Sequence, residues 1–437
     1  MKLLEEVLKE ISPSPQEEKE IEKIVKEIKD KIDEKKPKEV EAMLVGSVAK
    51  GTYLKNELDI DFFILFPLNY TKEEMKKIVV SIGKKIFRKY KLQYAEHPYV
   101  RGIYKGFIID LVPCYKIKSI EEKMSAVDRT PFHTEYIKRN FDEKLKNEAR
   151  LLKQFLKGIG CYGAEAKIEG FSGYLAELLV LKYGSFLKVL ENAKNWEGKV
   201  ILSINKVKKK FEEDFVFVDP IDNSRNVAAA LSKEKLKIFI FASKQFLKSP
   251  KIEFFFPKEV KILDKEEIEV KIKNFVGICF KKPDIVDDIL YPQLKKAAKS
   301  LENLLENHDF GVIDKFWHAN EEAFFGVKLN SITIDETKLH MGPPLQEKKH
   351  VKAFIEKWKK SEIAVGEPFE KKGRMWVKIR RSYNNALELI KSKMGELNFG
   401  KDLNKLKKEM KVCDNTCLSK FRKFWSEYLS NKYPWER

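Results

Sequence analysis

Residues 45–66, VGSVAKGTYLKNELDIDFFILF, constrain the chain more than any other stretch. A Gly-Ser pair, Gly46 and Ser47, is followed after eleven residues by Asp59-Ile60-Asp61, which opens the apolar run Phe62 to Phe66. An apolar run of that kind suits a buried strand. Strand side chains alternate between faces, so Asp59 and Asp61 project the same way. Neighbouring carboxylates repel, and ionising both without a cation is costly. A divalent metal removes that cost. Hard oxygen ligands on a rigid strand suit Mg²⁺, which keeps several waters and shares its other positions with phosphate oxygens. Gly46 lets backbone N–H groups approach a phosphate closely, and Ser47 adds a hydroxyl donor.

A third acid lies in FIIDLVPCY (107–115), an apolar strand-like run interrupted by Asp110. An acid in such a run is expensive unless it is paired, hydrogen-bonded or metal-bound. Three carboxylates on adjacent strands supply what a two-metal site needs. One ion lowers the pKa of an attacking hydroxyl, and the other steadies a triphosphate and its leaving pyrophosphate.

The rest of the chain alternates helix and strand patterns. Ile21, Val25, Ile28 and Ile32 predict an amphipathic helix after Ser14, and a second is expected over 72–91 behind a Thr71 cap. With strands at 94–99 and 107–112 these give a small mixed sheet with helices on one face. Helices are expected at 142–158, 171–186 and 226–247, with a strand at 215–218. From about Lys258, strands at 274–280, 310–317, 323–329 and 374–380 alternate with helices at 289–307 and 348–360. That pattern fits a ferredoxin- or RRM-like α+β unit. Residues 382–437 read as Lys-rich helix. The fold class is therefore α+β and multidomain, with boundaries at 1–138, 139–258 and 259–437.

The Gly-Ser, Asp-x-Asp and distant strand-Asp pattern resembles the nucleotidyltransferase superfamily that includes DNA polymerase β and poly(A) polymerases. YAEHPYVRG (94–102), DLVPCYK (110–116), SAVDRTPFH (125–133), YGAEAKIEGFSGYLAELL (162–179) and DPIDNSRNVAAALS (219–232) resemble the archaeal, class I CCA-adding enzymes. In the C-terminal part, FKKPDIVDDILYPQL (280–294) and HMGPP (340–344) carry the likeness. The resemblance implies a catalytic domain, a helical domain that reads the nucleotide base, and a tRNA-binding C-terminal region. It implies two Mg²⁺ ions on Asp59, Asp61 and Asp110, with CTP and ATP as substrates. It assigns Gly46, Ser47, Lys50, His133, Lys153, Tyr162 and Arg225 to the nucleotide. The family usually has Arg where Lys50 stands, and some members have Glu at Asp59; Lys keeps the charge without the planar fork. Arg225 is the base reader: an Arg donor to a ring nitrogen accepts cytosine and adenine and rejects uracil and guanine. On the residues alone, Arg225 neutralises Asp222 in a surface turn, Lys50 and Lys153 are surface charges, and His133 is a loop residue. His97 stands equally as a structural histidine beside a proline turn.

Lys and Arg total 86 against 67 Asp and Glu, a formal net charge of +19. Such a balance points to a polyanionic partner, nucleic acid rather than membrane, and no apolar run approaches the roughly 20 residues that span a bilayer. Five mostly scattered cysteines, with no His/Cys partner pair at zinc-ligand spacing, read as reduced thiols of a cytoplasmic protein, with a disulfide between Cys413 and Cys417, four residues apart, as the lesser alternative. The expected activity is template-independent addition of CCA to tRNA by a homodimer. A poly(A) polymerase or terminal uridylyl-type transferase is the alternative, and a tRNA-binding protein with a decayed transferase site is a third reading.

Overall fold

The computed structural model describes residues 2–55, 57–94, 98–207 and 209–437, so His97 lies outside the described residues. The chain forms two compact units, residues 1–259 with 432–437, and residues 260–431.

In the first unit, α1 (Lys2–Ile11) precedes α2 (Pro15–Asp33), which starts at a Ser14–Glu17 capping box and buries Ile21, Ile24, Ile28 and Ile32. Then follow β1 (Glu41–Val45), α3 (Gly46–Lys50), β2 (Asp59–Phe66), α4 (Lys72–Ile86), β3 (Tyr90–Tyr94), β4 (Pro98–Tyr104) and β5 (Phe107–Tyr115). The sheet runs β1-β2-β5-β4-β3; β2 and β5 are parallel and the other pairs antiparallel. Strand alternation sorts β2 cleanly. Ile60, Phe62, Ile64 and Phe66 join Ile28, Ile32, Met75, Val79 and Ile82 in one core, while Asp59 and Asp61 fall on the opposite face. Two local expectations change. The Gly-Ser pair opens a short helix, α3, rather than a simple turn. The helix expected to reach residue 91 stops at Ile86, where Phe87 turns extended and lays its ring against Gly102.

The unit continues with α5 (Thr130–Asn140), α6 (Glu143–Gly158), α7 (Gly173–Tyr183), α8 (Phe186–Ala193), the parallel pair β6 (Val200–Leu202) and β7 (Phe215–Phe217), and α9 (Lys233–Lys248). The single helix expected at 171–186 is two, because Gly184 ends α7 at φ 84° and Ser185 caps α8. The helix expected from Asn226 begins at Lys233 behind a Ser232 cap. Asn226 instead spends its side chain on the Phe217 and Ala228 backbone. Phe155 centres an aromatic core of Phe186, Phe239, Phe246, Phe254 and Phe255. Trp435 stacks on Phe254.

The second unit holds α10 (Lys265–Lys271), β8 (Phe275–Lys281), α11 (Asp287–Glu306), β9 (Val312–Ala319), β10 (Glu322–Leu329), β11 (Thr337–Pro344), α12 (Lys348–Lys359), β12 (Phe369–Lys371), β13 (Arg374–Arg380), α13 (Ala386–Lys393), β14 (Lys411–Cys413), α14 (Asn415–Leu418) and α15 (Arg422–Leu429). Its main sheet, β14-β8-β10-β9, is antiparallel throughout. With α11 and α13 as the crossovers, the last strand lies beside the first, then the third, then the second. This is ferredoxin-like β-α-β-β-α-β topology. The sheet β11-β13-β12 and helix α12 are inserted before α13. Residues 382–437 are not one helix but short pieces. Cys413 and Cys417 are joined by a disulfide, their Cα atoms 5.2 Å apart across the turn into α14, which corrects the expectation of five reduced thiols. Cys114, Cys161 and Cys279 are free and buried. Among the described residues no helix is long and apolar enough to cross a membrane.

Candidate active site

Strand register builds the site. Val45 pairs with Asp61, Asp61 with Asp110 on the parallel neighbour, and Asp110 with Arg101, so four residues form one row across β1, β2, β5 and β4. Asp59 lies two residues along the same face. Asp110 is nearly closed to solvent at 6% side-chain exposure, whereas Asp59 is 45% exposed at the mouth. An open cleft of about 660 Å³ is lined by Ser47, Asp59, Asp61, Gly106 and Phe107. Gly46 follows directly on Val45 at φ 74°, and a Cβ there would stand 2.2 Å from Asp61 Oδ2. Only glycine fits, on conformation and on space.

Arg101 crosses the acids. Its Nε donates to Asp110 Oδ1 at 2.8 Å, and its Nη2 donates to Asp110 Oδ2 at 2.6 Å and Asp59 Oδ2 at 3.0 Å. This charge does not reach far enough. Burial, with Asp110 and Asp59 adding repulsion, pushes the Asp61 carboxyl up to about 7. Burial raises Asp110 as well, in spite of Arg101. Acids this strained, all oxygen donors and held on two parallel strands, fit a hard divalent cation.

Beside the acids lies a buried cation cluster. Glu177, on α7 and inaccessible to solvent, accepts from Lys50 Nζ at 2.6 Å, Lys153 Nζ at 2.8 Å and Thr52 Oγ1 at 2.5 Å. Burial alone would raise the Glu177 pKa, but the two ammonium groups outweigh it and hold it at about 2. Lys50 and Lys153 are therefore buried, not the solvated charges their neighbourhoods suggest. Gly173 opens α7 with no side chain; a Cβ there would lie 3.0 Å from the Tyr162 hydroxyl and 3.8 Å from Lys153 Nζ. Tyr162 thus shares this corner. Arg150 donates to the Gly51 and Tyr53 carbonyls and ties the segment after α3 to α6.

A third group completes the surroundings. Buried Asp219 Oδ2 takes His133 Nε2 and Arg225 Nη1, each at 2.9 Å, and His133 stacks on Tyr174 with ring centroids 4.1 Å apart. Burial lowers the His133 pKa against the pull of Asp219. Arg225 does not neutralise Asp222; that carboxylate is held by Lys123, Arg129 and Ser224. Asp128 fixes the approach to α5 by accepting from the Tyr115, Met124 and Ser125 N–H groups.

All ten residues expected from the sequence therefore lie in the first unit, in three adjoining groups. Sequence reasoning missed Arg101, Glu177 and Asp219. Glu177 carried a usable signal, since it interrupts the apolar run LAELLV just as Asp110 interrupts its strand. Arg101 carried none, because its partner is set by strand register.

Comparison with known proteins decides the family. A nucleotidyltransferase domain matches residues 25–133, the second domain of tRNA nucleotidyltransferase matches 147–256, and the C-terminal domain of CCA-adding enzymes matches 272–415. The chain is 38% identical over 395 residues to the CCA-adding enzyme of Archaeoglobus fulgidus, covering 89% of this chain and 88% of that protein. It is 38% identical over 412 residues to that of Methanocaldococcus jannaschii, covering 89% of each. The chain belongs to the CCA-adding enzymes. It is a nucleotidyltransferase of tRNA processing, on an α+β scaffold of several domains. The CCA-adding enzyme of Pyrococcus abyssi is 41% identical over 361 residues, covering 78% of this chain and 80% of that protein. Among solved structures, Cid1 poly(U) polymerase is similar at a TM-score of 0.46 and 17% identity, over 57% of this chain and 94% of that one, too distant to bear on activity.

Two outcomes are expected. Glu177→Gln leaves two buried ammonium groups without their counter-charge, which lowers unfolding free energy by about 3–5 kcal/mol in urea titrations; a loss below about 1 kcal/mol contradicts the cluster's role. Below its pKa Asp61 carries a proton that an entering divalent ion must displace, and above it the carboxylate is free. Mn²⁺ affinity, followed by electron paramagnetic resonance, accordingly rises about tenfold per pH unit up to roughly pH 7 and then levels off. A pH-independent affinity contradicts this.

Proposed function

We propose that the enzyme adds CCA to the 3′ end of tRNA by drawing CTP and ATP into the cleft beside Asp59, Asp61 and Asp110, with two Mg²⁺ ions on those acids. The observation that carries this reading is the strand row that sets Asp61 directly against Asp110, one residue from Gly46. The ions supply a lowered pKa at the attacking tRNA 3′-hydroxyl and neutralise charge at the leaving pyrophosphate. Asp59, Asp61 and Asp110 would hold the ions, and Asp110, the more buried of the pair that Arg101 bridges, would help to activate the attacking hydroxyl. Ser47 and the backbone at Gly46 take triphosphate oxygens, and Lys50, Lys153 and Tyr162 place positive charge and a hydroxyl donor behind them. Glu177 acts through the two lysines by fixing where their ammonium groups sit.

Base choice falls to Arg225. Asp219 takes one branch of its guanidinium and leaves the other donors for a ring nitrogen. Cytosine and adenine share an edge with an exocyclic amine next to that nitrogen, whereas uracil and guanine present a carbonyl and an N–H. His133, stacked on Tyr174 and bonded to Asp219, completes the base side. Residues 1–138 carry catalysis, 139–258 base recognition and 259–437 the tRNA, in a cytoplasmic homodimer. The net charge of +19 supports the polyanionic partner.

The decisive experiment extends a tRNA lacking its last three nucleotides with each nucleoside triphosphate alone and then together. CTP alone adds two residues, CTP with ATP adds three, and UTP and GTP add none; a long homopolymer instead supports the polymerase reading. Asp110→Ala abolishes incorporation with tRNA affinity unchanged within about threefold, and wild-type extension by that variant overturns the assignment. Affinity for tRNA falls at least tenfold between about 50 and 200 mM salt as counterions are released, and a flat response contradicts an electrostatic grip.

A further inference from the structure

Three sulfurs meet in the second unit, among residues that the nucleotide site does not use. Strand β8 pairs with β14 so that Cys279 lies opposite Lys411 and Cys413 opposite Gly277. In an antiparallel ladder that register puts Cys279 and Cys413 on one face, diagonal to each other. Asp414 then caps α14, accepting from the Cys417 N–H at 3.0 Å, and the turn brings Cys417 back over the same face. The three Sγ atoms all lie within 4.8 Å of one another. Cys279 and Cys413 are buried, and Cys417 is half-buried, which leaves one open side.

Buried cysteines commonly serve as small apolar fillers, and Phe275, Phe316, Phe324 and Trp425 do surround these. Filling does not explain why three separate elements aim their sulfurs at one point. The Cys413–Cys417 disulfide does not explain it either. It spans a sequence separation of four, so it constrains little of the unfolded chain, and it gives Cys279 no role. Cys279 is a free, buried thiol beside the pair. A metal ion displaces the proton of such a thiol directly.

We propose that Cys279, Cys413 and Cys417 form a binding site for a thiophilic metal ion of the Zn²⁺ class, and that the Cys413–Cys417 disulfide is its oxidised, metal-free state. A dithiol supplies two electrons and two protons to open the disulfide and closes to a disulfide itself; a phosphine supplies the two electrons and becomes the phosphine oxide, with water giving the two protons and the oxygen. Three thiols then bind one ion and release up to three protons, and water enters from the Cys417 side to complete a four-coordinate shell. Zinc–sulfur bonds of about 2.3 Å set the sulfurs roughly 3.8 Å apart, so the two disulfide sulfurs part once reduced, while Cys279 Sγ already lies within 4.8 Å of both. Soft thiolates select such ions over Mg²⁺. The site ties β8, β14 and α14 together, the first and last strands of the ferredoxin-like sheet and the turn that follows.

The test uses the full-length chain, reduced by a phosphine and desalted without oxygen, titrated with Zn²⁺ against a chromophoric chelator. The expected result is one equivalent bound at submicromolar Kd, and Co²⁺ in its place gives a thiolate-to-metal charge-transfer band. Cys279→Ser and Cys413→Ser each weaken this binding by at least about 100-fold, whereas Cys161→Ser leaves it unchanged. Weaker Zn²⁺ binding at the carboxylates is common to all four proteins and does not interfere. Alkylation and mass spectrometry establish the reduced state. The proposal is overturned if the disulfide resists reduction in the folded chain, if the reduced chain binds no tight equivalent, or if Cys279→Ser binds as the unmodified chain does.

Discussion

Repulsion among Asp59, Asp61 and Asp110 is the constraint around which the first unit is arranged. Gathering three carboxylates on two parallel strands is unfavourable, and the fold offsets the cost only in part. Arg101 bonds Asp110 and Asp59 but leaves Asp61 with its carboxyl pushed up to about 7. The remaining deficit is the ground for the divalent-cation site proposed on this row of acids. The same logic runs in reverse at Glu177, where one buried carboxylate is shared by two buried ammonium groups. That cluster keeps excess positive charge next to the acids without exposing it to water, which suits a polyphosphate entering between them.

The scaffold explains why these groups meet. Alternation along β2 turns Ile60, Phe62, Ile64 and Phe66 into the core and so fixes Asp59 and Asp61 on the other side. A slip of one residue in the β2–β5 register would bury both acids. The absence of a Cβ at Gly46 and at Gly173 brings backbone close to Asp61 on one side and to Tyr162 and Lys153 on the other.

Much of this was legible in the sequence because it is local. Periodicity marked the amphipathic helices, caps at Ser14 and Thr71 marked two starts, and acids inside apolar runs marked the metal-binding candidates. What escaped is what depends on distant pairing. Arg101 reaches Asp110 only because β4 and β5 are neighbours, and Arg225 turns to Asp219 rather than to nearby Asp222, which Lys123 claims from almost a hundred residues away. Lys50 and Lys153 sit in stretches rich in charge, and only the fold shows them inside. Cys413 and Cys417 looked isolated because their third neighbour, Cys279, lies on another strand. The long helix expected at the C-terminus failed for a simpler reason: its lysines set no apolar period, and the Gly395, Gly400 and Asp414 positions interrupt it.

The central claim concerns cations on one row of acids, and diffraction tests it without reference to turnover. Crystals grown with Mn²⁺ and a non-hydrolysable CTP analogue should show two anomalous peaks bounded by Asp59, Asp61 and Asp110, with Arg101 released from Asp110 and the triphosphate lying toward Lys50 and Lys153. No peak among these acids, with Arg101 still bridging Asp110 and Asp59 in the nucleotide-bound crystal, would contradict the account.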